Sequence, residues 1–140
     1  MDKNRRIAYL TLMDVESKLA YSNIALNHQI RNGKPDAPAF VRELVYGVLE
    51  NKLYLDYLIQ HFVKTPTCKL KISDLNILRL GFYQLKFLDG VPEYAAVNES
   101  VDLAKKYCRG REGFINGVLR SFIRTGKEVA LPDRAEDEVR

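Results

Sequence analysis

Metal-ligating and nucleophilic side chains are scarce in this sequence: two cysteines, two histidines and no tryptophan in 140 residues. Cys68 and Cys108 lie far apart, with no Cys-x-x-Cys pair and no Cys/His cluster, so no zinc site is expected. Two reduced, packed thiols are the expectation, in a chain long enough to fold without a disulfide or a metal. His28 and His61 each lack a matching Ser, Cys or carboxylate constellation, which leaves surface or helix-end roles. No apolar run approaches the ~20 residues of a membrane-spanning helix. The start, Met1-Asp2-Lys3-Asn4-Arg5-Arg6, is not followed by the apolar stretch of a secretion signal, and a cytoplasmic location is expected. Alternating strand patterns are missing too. With them goes the glycine-rich loop between strand and helix that would cradle a nucleotide cofactor.

What is present is positive charge and helical periodicity. Formal net charge is +4. Residues 128–140 hold five acids and two arginines, a net of −3, which leaves +7 on residues 1–127. The expected organisation is therefore one helical domain over 1–127 and an acidic linker or tail over 128–140. Between Lys105 and Lys127 stand seven basic residues (Lys105, Lys106, Arg109, Arg111, Arg120, Arg124, Lys127) and one acid, Glu112. That bias favours a polyanionic partner, against the blander alternative of a solvated helix face.

Apolar residues recur at helical spacing almost throughout. A first helix is expected over about Lys3 to Ser17, and a second over about Lys18 to Arg31, stopping at Asn32-Gly33. Asp36 is placed to cap the next. The pattern from Ala39 to Val63 is long enough to predict a break near Asn51-Lys52. Ser73 or Asp74 then caps a helix that is apolar around most of its circumference (Leu75, Ile77, Leu78, Leu80, Phe82, Leu85), which places it centrally. Pro92 opens a helix reaching Tyr107, with Glu93 in its first turn. A turn at Gly110–Gly113 leads to a last helix carrying Phe114, Ile115, Val118, Leu119 and Phe122. The prediction is six or seven helices in one all-α bundle. Gly47 and Gly117, inside two of these helices, each cost about 1 kcal/mol relative to alanine and are expected where another backbone comes close.

Three segments in order carry a resemblance: Val91-Pro92, then Val97-Asn98-Glu99-Ser100-Val101-Asp102-Leu103-Ala104-Lys105, then Gly113-Phe114-Ile115-Asn116-Gly117-Val118-Leu119. Together with the arginines and Ala8 of the first helix and Ile77-Leu78-Arg79-Leu80, they resemble the NusB-like RNA-binding domain over roughly residues 5 to 125. Two branches share that domain. One is the free-standing transcription antitermination factor. The other is the N-terminal domain of the ribosomal RNA cytosine-5 methyltransferases of the RsmB (Sun) type. Val118-Leu119-Arg120, Phe40-Val41-Arg42-Glu43-Leu44-Val45-Tyr46-Gly47 and Ala20-Tyr21-Ser22-Asn23-Ile24 look more like the second.

The resemblance implies a non-catalytic RNA-binding domain that helps present small-subunit ribosomal RNA to a methyltransferase domain in cis. S-adenosylmethionine would belong to that other domain, and this chain is expected to need no cofactor. Thr67-Cys68 imitates a catalytic Thr-Cys dipeptide only superficially, and no catalytic residue is assigned. Candidate RNA contacts are Lys3, Arg5 and Arg6 on the first helix, Lys105, Lys106, Arg109 and Arg111 around the turn, and Phe114, Asn116, Arg120 and Arg124 on the last helix. Of these the resemblance favours Arg5, Arg6, Phe114 and Asn116. Tyr9, Tyr83, Tyr107 and Phe114 could stack on unpaired bases if exposed, with core packing as the alternative. Asn98 and Glu99 are expected to form a hydrogen-bonded helix junction. The competing functions are the antitermination factor and a protein-interaction domain with little RNA contact.

Overall fold

A computed structural model describes residues 2–129 and shows helices and no strand among them. The helices are α1 (Lys3–Lys18), α2 (Ser22–Gly33), α3 (Pro38–Glu50), α4 (Lys52–Gln60), α5 (Ile72–Phe87), α6 (Glu93–Tyr107) and α7 (Glu112–Arg124). A single 3-10 turn, Thr67–Lys69, interrupts the loop between α4 and α5. The acidic tail falls almost wholly outside the described residues.

Helix α5 is the axis of the bundle. It packs against α1, α3, α4, α6 and α7, and everything from Asp74 to Leu85 is buried. A helix surrounded on all sides has no polar face to give up, which is why its sequence is apolar nearly all round. Phe82 stacks on Phe122 of α7 at 4.3 Å between ring centroids, and Phe62 closes the cluster at 5.6 Å from Phe122. Helices α1, α2 and α3 pack together on one side, and α6 with α7 on the other.

Buried polar groups on α5 find partners on distant elements. Arg79, with 6% of its side chain exposed, donates through Nε and Nη2 to both oxygens of Asp56 on α4, at 2.7 and 2.8 Å. Its Nη1 donates to Asn76 at 3.1 Å and reaches Glu16 of α1 at 3.4 Å. One guanidinium therefore ties three helices together.

Several local expectations are corrected. Helix α2 starts at Ser22, not Lys18, because Leu19 adopts φ 53° and sends its N–H back to the Asp14 carbonyl, ending α1. Asp36 does not cap α3. The N-cap is Ala37, and its N–H is taken by Oδ1 of Asn4 from α1 at 3.0 Å. Neither Ser73 nor Asp74 caps α5. The helix begins at Ile72, two residues before a Ser73 cap would start it, which carries Asp74 into its first turn and into the interior. Cys68 is exposed on the 3-10 turn, whereas Cys108 is buried as expected. Gly47 makes room for a ring and not a backbone, since a Cβ there would overlap Tyr83.

Candidate nucleic-acid interface

The start of α7 is built by its own turn. Gly110 takes φ +90°, and its N–H donates to the Glu112 carboxylate at 2.6 Å. The Arg111 N–H bonds the Cys108 carbonyl at 2.9 Å, and Arg111 is the N-cap of α7. From there one stripe of α7, Gly113, Phe114, Gly117, Val118, Ser121 and Arg124, faces the α4–α5 loop. Between them lies a groove of about 530 Å³, whose far wall is Phe62, Val63, Lys64, Thr65 and Leu70. A second cavity of about 320 Å³ continues past Arg111, Thr65 and Leu70 to Lys69, Lys71 and Asp74. The two thus share three lining residues.

Five cations therefore border one continuous depression: Lys64, Lys69, Lys71, Arg111 and Arg124. The guanidinium of Arg111 lies 4.1 Å over the Phe114 ring, a cation–π stack that presents a flat platform. Arg124 donates to the Ser121 hydroxyl at 2.8 Å. Between the cationic ends the floor is nearly bare, because Gly113 and Gly117 are exposed and a Cβ on either would meet nothing within 4 Å. Gly117 is thus not the close-packing glycine expected. It is an open one in the middle of a helix. Replacing it with alanine is expected to raise stability by about 1 kcal/mol, read as a shift in the urea midpoint. No gain in that measurement would mean the position is strained.

Beneath the groove sits Asp74, 3% exposed. Its Oδ2 accepts from Nε of Arg111 at 3.0 Å, and its Oδ1 has no hydrogen-bond partner among the described residues. The Cys108 thiol neighbours it but is a weak donor at best. Burial pushes the Cys108 thiol up from its ordinary pKa, and the Asp74 charge adds to this. Tyr9 is driven up by burial, then by Cys108 and Asp74, while its hydroxyl reaches the Ser73 carbonyl at 3.2 Å. A buried acceptor without a partner costs about 1–3 kcal/mol.

The remaining candidates are distributed differently. Lys105, Lys106 and Arg109 are exposed on the last turn of α6 and just beyond it, and line neither cavity. Asn116 and Arg120 occupy the neighbouring stripe of α7, bonded to each other at 3.1 Å. Lys3, Arg5 and Arg6 lie on α1, which touches the α6 side of the bundle at two points: the Asp2 N–H reaches Glu99 at 2.7 Å, and Tyr9 packs on Tyr107 at 5.1 Å. Glu99 is thereby half-buried at a helix junction, and Asn98 is exposed. Arg5 is spent internally, donating to Gln84 and Asp2 and lying over Phe40, with 12% of its side chain exposed. Lys3 is exposed, and the Arg6 side chain makes no hydrogen bond or ion pair to another described residue. Tyr9 and Tyr83 are buried in the core, so neither can stack on a base.

A family model described as the NusB family matches residues 2–124. The chain belongs to the NusB family. It is 40% identical over 141 aligned residues to a probable ribosomal RNA small subunit methyltransferase B of Bacillus subtilis, an alignment covering 97% of this chain and 30% of that protein. It is 37% identical over 120 residues to the transcription antitermination protein NusB of Bacillus licheniformis, covering 84% of this chain and 92% of that one. Among solved structures, one of antitermination factors NusB and NusE in complex with dsRNA superposes with a TM-score of 0.80 at 24% identity, over 88% of this chain and 95% of that one. At that identity the likeness shows the fold alone. The chain thus spans under a third of the length of the methyltransferase it matches.

Within the NusB frame, the residues missed by sequence reasoning are Lys64, Lys69 and Lys71. The available signal was three lysines in the short stretch Lys64-Thr65-Pro66-Thr67-Cys68-Lys69-Leu70-Lys71. Among the described residues no group of His, Cys, Asp and Glu could hold a metal ion, and no helix is long and apolar enough to cross a membrane.

Proposed function

We propose that this chain is the RNA-binding N-terminal module of a ribosomal RNA cytosine-5 methyltransferase of the RsmB/Sun type. It contributes no catalytic group. It acts in the cytoplasm, holding small-subunit ribosomal RNA for an S-adenosylmethionine-dependent domain in cis. One observation carries the RNA part: five cations ring a groove with a glycine floor and an Arg–Phe platform. Side-chain cations meet phosphates, while the platform and the bare α7 stripe offer an unpaired base a flat surface. Arg6, Lys3, Lys105, Lys106, Arg109 and Arg120 supply a wider positive field that steers the polymer. The extent of the match to the Bacillus subtilis methyltransferase, covering 97% of this chain, supports the link to methylation.

A second reading, the free antitermination factor, draws on the near full-length match to the Bacillus licheniformis protein. Titration with single-stranded and double-stranded RNA of one sequence, from about 50 to 200 mM salt, tests RNA binding. Single strands are expected to bind more tightly, with a log–log slope near −0.7 for each phosphate neutralised, reaching about −3.5 if all five groove cations engage. No binding at the lowest salt would defeat the proposal. Comparing rRNA methylation by the longer protein with and without this module then separates the two readings.

A further inference from the structure

We propose that Asp74 is a positioning residue for RNA binding: it holds Arg111 by Nε so that both terminal amino groups of the guanidinium are left for a phosphate. This rests on the RNA-binding reading above. The Nε–Oδ2 contact of 3.0 Å occupies the one guanidinium nitrogen that points away from the fork. No described residue accepts from Nη1 or Nη2 of Arg111, and 43% of the side chain is exposed. The plane is set a second time by Phe114, 4.1 Å beneath. An arginine held at Nε and stacked on a ring cannot sample the rotamers of a free one, so little freedom is left to lose when an anion docks.

A contrast within the same helix supports a positioning role over a stabilising one. Asp56 engages Arg79 through both oxygens. Asp74 is more deeply buried, yet uses one oxygen on a half-exposed partner and leaves the other without a hydrogen bond. A carboxylate retained for stability would not be placed this way, because a buried, half-satisfied charge is a poor stabiliser.

A double-mutant cycle tests the proposal. Arg111→Ala and Asp74→Asn are each expected to weaken single-stranded RNA binding about tenfold, and the double variant no further than Arg111→Ala alone. Asp74→Asn is expected to melt at or above the wild-type temperature, which a structural role would not allow. Wild-type affinity in Asp74→Asn, or effects that multiply in the double variant, would overturn the proposal. A readout without RNA separates it from the reading beneath it. In the free wild-type protein the Arg111 Nε–H should be ordered and slow to exchange by NMR, unlike that of Arg109, which is exposed and has no side-chain partner among the described residues. If Arg111 is as mobile as Arg109, the positioning role is wrong whatever the RNA titrations show. If wild type binds no RNA while Arg111 is ordered, the fault lies in the RNA reading, and the RNA role of Asp74 falls with it.

Discussion

A chain carrying Lys64→Glu and Arg124→Glu together is expected to bind RNA about a hundredfold more weakly than wild type. The two side chains stand on opposite walls of the groove, one on the α4–α5 loop and one at the end of α7. Each reversal removes a phosphate contact and adds a repulsion, and neither should disturb the fold. Both residues are exposed, and among the described residues only Arg124 has a side-chain partner to lose, the Ser121 hydroxyl. Surface changes of this kind stay within about 0.5 kcal/mol of wild-type stability, so melting temperature serves as the control. The salt slope should flatten by about 1.4, two phosphates' worth on a single strand. The matched comparison is Lys3→Glu with Arg6→Glu on α1. If that pair abolishes binding and the groove pair changes it less than threefold, the RNA path runs along α1 and α6.

The largest expected loss of stability comes from Arg79→Ala, about 3 kcal/mol. Arg79 is almost wholly buried and answers Asp56, Asn76 and Glu16 at once. Its removal strands a carboxylate pair against the core. The lower end of the usual range applies because Asp56 and Glu16 each keep 21% of their side chain exposed and can recruit water. Glu16 also retains Lys52 at 2.8 Å. Asp56→Ala should therefore cost less in the Arg79→Ala background than in wild type, since the unpaired charge is then gone. Urea unfolding of the four proteins measures this. A loss under about 1 kcal/mol for Arg79→Ala would show that the network contributes little net stability.

Much of the architecture was readable before the structure. The break at Asn51, the central position of α5, the opening of α6 at Pro92 and the end of α7 at Arg124 all follow from periodicity and terminator residues. The capping misreadings share one cause. Asp36, Ser73 and Asp74 have capping side chains near helix starts, and each was displaced by a contact or register that local chemistry does not encode. Asn4 of α1 reaches across to the start of α3, and α5 begins two residues before a Ser73 cap would start it, which puts Asp74 against Arg111. For the candidate interface, the basic segment around Arg111 to Arg124 was visible as charge, but its opposite wall was not. Lys64, Lys69 and Lys71 join it only because the α4–α5 loop returns beside α7.

By itself, the amino-acid order determined an all-α NusB-family chain. Apolar spacing at three and four residues creates amphipathic helices whose burial dominates the folding free energy, and that spacing is a local property. The tertiary structure alone decided which cations are available. Arg5 and Arg79 are consumed by Asp2, Gln84, Asp56 and Glu16, Arg111 is half-consumed by Asp74, and Lys64 makes no ion pair with a described residue. A charge is free or engaged according to which carboxylate the packing brings within about 4 Å of it, the distance at which an ion pair forms. Apart from Asp2, three residues from Arg5, those partners arrive from distant parts of the chain, where no sequence window sees them.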